Sequence, residues 1–143
     1  MTALPAGWPT APLDFSARAL LPEMMDADDL DAATYAAVIA DLARVNTLTR
    51  ARPPTLAWLK RQTRGLDSFT LVDVGFGHGD MLRAIARWAQ ANGQQARLIG
   101  VDLNPRSAPV AEAATDPGLG IRYVTGRAEA LDVQPDFIIS SLV

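Results

Sequence analysis

Two hydrophobic periods divide this chain. Before about residue 65 the apolar positions recur at helical spacing; after it, short solid apolar runs alternate with further helical stripes. Tyr35, Val38, Ile39, Leu42 and Val45 stand three and four apart and predict one amphipathic helix. Asp31 is placed to cap it, with an acidic first turn suiting the helix dipole. Pro53-Pro54 is expected to end that segment, and Thr55 to cap a short second helix carrying Leu56, Trp58 and Leu59, which Gly65 closes. Phe69 to Val74 then reads as a buried strand. Met81, Leu82, Ile85, Trp88 and Ala89 form the next helical face, with Arg83, Arg87 and Gln90 opposite and Asn92-Gly93 at its end. Leu98 to Asp102 predicts a second strand, and Pro105 or Ser107 starts a short helix to about Ala114. After an Asp116-Pro117-Gly118 turn, Ile121 to Thr125 and Phe137 to Val143 predict the third and fourth strands. Strands alternating with helices predict an α/β doubly wound parallel sheet.

Ahead of this pattern, Pro5, Pro9, Pro12 and Pro22 predict an irregular arm, and residues 23–31 are acidic. The expected organisation is therefore residues 1–65 as arm and helices, and 66–143 as a ligand-binding sheet domain. The first part would pack on the sheet flank or close over the ligand as a lid.

Composition narrows the function. With 143 residues, 49% of them apolar, the chain can bury one real core. A net charge of -3 argues against a dedicated nucleic-acid binder. The absence of cysteine excludes disulfides, a zinc-thiolate site and a cysteine nucleophile, and suits a reducing cytoplasm. No leader pattern occurs in Met1 to Trp8, and no apolar run approaches the roughly 20 residues of a membrane span. The expectation is a cytoplasmic protein with neither membrane nor metal. Arg44, Arg50, Arg52, Lys60, Arg61 and Arg64 crowd one segment; a solvated face explains them more simply than an RNA site, since no aromatic platform accompanies them.

The chemistry concentrates at Asp73-Val74-Gly75-Phe76-Gly77-His78-Gly79-Asp80, where a strand turns through alternating glycines into a helix. Such a turn lets a ligand approach main chain at the mouth of a parallel sheet. The dinucleotide fingerprint G-x-G-x-x-G/A would place a small residue at position 80, where Asp80 stands instead. A carboxylate there opposes a pyrophosphate and favours a phosphate-free ligand bearing cations, namely S-adenosylmethionine. Asp102 ends the second strand about 23 residues beyond Gly79, near the offset of about 20 at which an acid bonds ribose hydroxyls. It would alternatively cap the helix near Pro105. Leu103 would lie against an adenine face or simply pack.

Val72 to Asp80 together with Gly100-Val101-Asp102-Leu103-Asn104-Pro105 resembles the first two motifs of class I S-adenosylmethionine-dependent methyltransferases. Gly126-Arg127-Ala128-Glu129-Ala130-Leu131 is similar to the third, and Asp136 to Val143 to the fourth, so the resemblance covers residues 69–143. It implies a Rossmann-like sheet of which this chain supplies about four strands in the order 3-2-1-4, with the fourth left as an edge. An edge of that kind would be met by further chain or by another copy. It also implies Asp73 at the methionine ammonium, Gly75, Phe76, Gly77 and Gly79 around the donor, Asp102 on the ribose, Leu103 at the adenine, and Arg127 with Ala128 at the adenine edge. The family commonly has an acid where Arg127 stands; an arginine carries no acceptor, so Glu129 or main chain would serve there.

The implied activity is methyl transfer to a small-molecule acceptor. A non-catalytic donor-binding module and a nicotinamide-dependent oxidoreductase are the alternatives. His78 is a candidate general base, although a loop histidine beside glycines more simply lines the donor pocket or the surface. No catalytic residue is assigned.

Overall fold

The structure is a computed structural model that describes residues 31–48 and 52–140, without the side chains of 46–48. The proline-rich arm, most of the acidic run, Arg50 and the end of the fourth apolar run (141–143) lie outside the described residues.

Helix α1 spans Ala32–Leu48. Asp31 caps it as expected: its Oδ1 accepts from the N–H groups of Ala33 and Thr34, each at 2.9 Å. Its second oxygen meets the Thr34 hydroxyl, and that bond above all holds the carboxyl below its usual range. The first turn itself contains no acid, so the negative charge stands at the cap rather than inside the helix. Tyr35, Ile39 and Ala43 are buried, whereas Val45 is 50% exposed and drops out of the expected stripe.

Helix α2 runs Arg52–Gln62, which places Pro53 and Pro54 inside its first turn. The two prolines therefore start this helix instead of ending the previous segment. Their missing N–H groups fall where a helix has no internal acceptor to offer, and their fixed φ suits the first turn. Thr55 is consequently helical and not a cap.

The sheet is built from β1 (Ser68–Val74), β2 (Gln95–Asp102), β3 (Arg122–Thr125) and β4 (Phe137–Ile139), with α3 (Asp80–Ala91) and α4 (Ser107–Ala113) in the crossovers. Its order is β3-β2-β1-β4 and every pairing is parallel, the order the resemblance implied. The register sets Leu71 beside Leu98, Asp73 beside Gly100 and Val74 beside Val101 on one side, and Asp73 beside Ile139 on the other. Because side chains alternate along a strand, Phe69, Leu71 and Leu98 share one face, and Val72, Ile99 and Val101 the other.

Each face has its own core. Leu59, Phe69, Leu71, Phe76, Leu82, Ile85 and Leu98 belong to the larger cluster, under α2, α3 and α4. An aromatic chain laces this layer: Trp58 meets Phe137 edge-on at 5.8 Å, Phe137 meets Phe69 at 5.9 Å, and Phe69 meets Trp88 at 6.4 Å. On the opposite face Val72, Ile99 and Val101 are covered by Val74, Val124, Ala128, Leu131 and Val133. Among the described residues this second layer is a 3-10 turn (Ala128–Ala130) and irregular chain, not an α-helix. Strand β4 is anchored to β1 by Asp136, whose N–H donates to the Thr70 carbonyl at 2.9 Å while its carboxylate accepts from the Thr70 N–H at 2.7 Å. Beyond it Ile138 is 64% exposed.

At Gly100 the sheet lies in close contact with Phe76 and the first turn of α3. A Cβ there would lie 2.6 Å from Phe76 Cδ1 and 2.8 Å from Leu82 Cδ1. Gly100→Ala is therefore expected to destabilise the fold by about 1–3 kcal/mol. Urea unfolding would register this as a lower midpoint at unchanged slope; an unchanged midpoint would contradict the packing described.

Candidate functional site

At the C-terminal end of the strands β1 stops between its two neighbours. The Gly75 N–H donates to the Val101 carbonyl at 2.8 Å, carrying the β1–β2 ladder one step further before the chain turns away. Gly75, Gly77 and Gly79 then take φ of 74°, 53° and 75°, a region that other L-residues enter only at a cost.

The three glycines do different work. A Cβ at Gly75 or Gly77 would meet nothing within 4 Å, so these two border open space. At Gly79 it would strike the Tyr123 hydroxyl at 2.5 Å. Gly79 is thus demanded by packing against β3 and presents no open face to a ligand. Phe76 is likewise turned inward: it is buried, with its ring centroid 4.9 Å from that of Tyr123, so only its main chain is available at the turn.

Asp102 stands across from the glycine turn at the end of β2. Its Oδ2 accepts from the Gly77 N–H at 3.0 Å and its Oδ1 from the Asn104 N–H at 2.9 Å. It therefore braces the glycine turn and its own loop, and does not cap α4, whose N-cap position is Arg106. The Asp102 carbonyl accepts from the Gly126 N–H at 2.8 Å, which brings the Gly126–Ala128 segment to the same end of the sheet. Leu103 follows and is 69% exposed. Ala128 packs into the second core, while Arg127 and Glu129 are exposed in the same short turn. Asp73 is 1% exposed, within the sheet between Gly100 and Ile139. The sequence-derived residues thus gather at the C-terminal ends of β1, β2 and β3. This is the end at which parallel sheets bind ligands, beside the point where the strand order reverses.

Asp80 is not the free charge its place in the sequence suggests. The Oδ2 of Asp80 lies 3.1 Å from both Nε and Nη2 of Arg52, so its charge is offset by α2. Repulsion of a phosphate by Asp80 is correspondingly weakened.

Behind the loop lies a polar cluster that periodicity misplaced. Arg83, expected on the solvent face of α3, is only 7% exposed. Its Nη1 donates to the His78 carbonyl at 2.8 Å and to Thr115 Oγ1 at 3.2 Å; its Nη2 bonds His78 Nδ1 at 2.7 Å. Thr115 Oγ1 donates its single proton to the Ala111 carbonyl at 2.6 Å, so in its 3.0 Å bond with Tyr123 it is the acceptor. Burial, chiefly, keeps the Tyr123 phenol above its usual pKa and hence protonated. Burial first, and the Arg83 cation second, hold the His78 imidazolium below its ordinary pKa. Arg83, Thr115, Tyr123 and Arg52 come from four elements, so no spacing in the sequence could have assembled them.

Comparison with known proteins now decides the family. The profile described as "Methyltransferase domain" matches residues 71–143, just over half of the chain. The chain belongs to the methyltransferase-domain family. Its fold is similar to that of a putative S-adenosyl-L-methionine-dependent methyltransferase from Methanococcus maripaludis (TM-score 0.53, 18% identity, 87% of this chain and 53% of that one). It is similar also to a SAM-dependent methyltransferase from Aquifex aeolicus (TM-score 0.53, 19% identity, 78% of this chain and 57% of that one). A third is magnesium protoporphyrin IX methyltransferase from Synechocystis PCC 6803 with bound SAH (TM-score 0.51, 19% identity, 64% of this chain and 40% of that one). The chain thus spans between 40% and 57% of the length of these three structures. No curated protein sequence matches it.

The methyltransferase domain carries no cluster of three or more metal-ligating side chains among its described residues. No described helix is long and apolar enough to cross a membrane.

Within this domain the brace at Asp102 is testable without any ligand. Asp102→Asn replaces one acceptor oxygen by an amide that faces an N–H group. It is expected to cost about 1–3 kcal/mol of stability and to speed amide exchange at Gly77 or Asn104. Hydrogen exchange read residue by residue checks this, and unchanged rates at both amides would refute the brace.

Proposed function

We propose that this methyltransferase domain binds S-adenosylmethionine at the C-terminal ends of β1 and β2 and serves methyl transfer to a small-molecule acceptor. The observation that carries the reading is Asp102 standing against the open main chain of Gly75 and Gly77. Each Asp102 oxygen accepts one main-chain N–H and keeps a second lone pair, enough to receive the two hydroxyls of a ribose. Main chain at Gly75 and Gly77 would lie along the donor. The exposed Leu103 would cover one adenine face. Main chain at Ala128, or Glu129 beside it, would meet the adenine edge, where Arg127 offers only donors. Asp73 would oppose the α-ammonium group through the local negative potential of the sheet end.

The bound donor supplies a methyl group already activated on a sulfonium. What remains for the protein is to hold the donor, align the acceptor and keep water out. His78 is not assigned as a general base, because its Nδ1 accepts from a guanidinium and its remaining nitrogen carries the proton. Helices α1 and α2 reach this end of the sheet through the buried Tyr35–Ser107 bond at 2.7 Å and the Arg52–Asp80 pair. On the lid reading of residues 1–65 they would cover the donor, and on the alternative they would only pack on the sheet flank.

Calorimetry with S-adenosylhomocysteine, with NADH as the control, tests the reading. The expected result is binding of the nucleoside only, weakened by about tenfold or more in Asp102→Ala through loss of charge-assisted hydrogen bonds. Preferential binding of NADH would overturn it, and donor binding without product in a turnover assay would reduce it to a binding module.

A further inference from the structure

We infer that Arg83 is a positioning residue for the glycine turn: one guanidinium grips both the ring and the carbonyl of His78, and the grip requires the imidazole to be neutral.

The inference rests on hydrogen bookkeeping around a buried cation. A guanidinium has donors and no acceptor. The 2.7 Å contact from Arg83 Nη2 to His78 Nδ1 therefore makes Nδ1 the acceptor, which puts the single ring proton on Nε2. The neighbouring Nη1 holds the carbonyl of the same residue at 2.8 Å, so side chain and main chain of His78 are fixed by one planar group. His78 lies between Gly77 and Gly79, both at positive φ. Gly77 is tied forward to Asp102, Gly79 donates to the Phe76 carbonyl and rests on Tyr123, and Arg83 restrains the residue between them.

The cation is held by neutral acceptors. Among the described residues Arg83 has no carboxylate within ion-pair distance; the ion pairs found are Arg44–Asp41 and Arg52–Asp80. Its bonds go to His78 and to Thr115, and the Thr115 hydroxyl in turn bonds Tyr123. Protonating His78 would turn an acceptor into a donor and set a second cation against Arg83 in a buried place. The other charged groups that act on the ring are Asp80 on α3, which favours the imidazolium, and Arg52 on α2, which opposes it and is itself paired with Asp80. Because the ring's pKa is lowered in the fold, the unfolded chain binds the proton more readily. The restraint is then fully present above the ordinary imidazole value of about 6.5 and is lost as pH falls below it toward the folded value.

The 143-residue chain has a single histidine, which makes the test clean. Two-dimensional ¹⁵N spectra of the ligand-free protein are expected to show the Nε2–H tautomer at neutral pH. As pH falls, the Gly77 and Gly79 amide signals should move together with the imidazole. In His78→Gln the side-chain carbonyl still accepts from Arg83 but does not titrate, so the glycine signals should stay in place over the same range. Arg83→Lys keeps a charged donor and should preserve the tautomer, and Arg83→Met should release it; circular dichroism establishes that the Met variant is folded. A ring protonated at Nδ1, or glycine signals that titrate equally in wild type and His78→Gln, would overturn the inference even if Arg83→Met does not fold.

A second arm rests on the donor reading proposed above. S-Adenosylhomocysteine binding should weaken roughly threefold to tenfold from neutral pH to the acid side of the imidazole titration seen in the spectra, and lose that slope in His78→Gln. If the spectra behave as expected and S-adenosylhomocysteine does not bind at any pH, the donor reading falls while the restraint stands.

Discussion

The fold depends on two places where a side chain is missing. At Gly100 the absence of a Cβ lets the Phe76 ring and Leu82 settle directly on β2. At Gly79 it lets the turn lie flat on Tyr123. Phe76 and Tyr123 then stack with each other, so the sheet, the glycine turn and the first turn of α3 form one closely packed unit. Close packing of this kind has no slack: the atoms that fix the helix also fix the turn that precedes it. The position of the glycine turn is thus a consequence of core packing and not of a separately built loop.

That packing explains how the two roles of the turn are divided. Residues at its rim, Gly75 and Gly77, face open space. Residues at its back, Phe76 and Gly79, face the core. Asp102 and Arg83 pull from opposite sides, the first on the Gly77 N–H and the second on the His78 carbonyl and ring. A turn held by several directed bonds is pre-organised for a ligand, since little further entropy is lost when one binds. Burying the Arg83 cation carries a desolvation cost, and the neutral acceptors around it offset that cost without neutralising the charge.

The N-terminal helices meet this unit at two helix starts. Tyr35 bonds Ser107, the first residue of α4, and Arg52 pairs with Asp80, the first residue of α3. Both α3 and α4 begin at the C-terminal ends of the strands, so α1 and α2 are tied to that end of the sheet. The opposite end bears a polar groove lined by Ser68, Thr70, Gln95, Arg97 and Asp136, remote from the glycine turn. Strand β4, with its exposed Ile138, leaves the described sheet open along one edge.

Beyond the strand order, which the family resemblance implied, sequence alone determined the alternation of elements, the parallel sheet, the glycine turn and the acid at the end of the second strand. These are local or periodic signals: a solid apolar run, a stripe three and four apart, a glycine where φ is positive. It went astray where burial depends on a neighbour from elsewhere in the chain. Arg83 reads as a solvent-face residue because α3 alone gives it no partner; the fold sets His78, Thr115 and Tyr123 around it. Pro53-Pro54 reads as a stop, although nothing local distinguishes the end of one helix from the first turn of the next. Asp80 reads as a free charge until Arg52 is brought to it across 28 residues. Only the tertiary structure could decide which glycine faces open space and which faces Tyr123, because that depends on atoms contributed by β3 and not on the glycine itself.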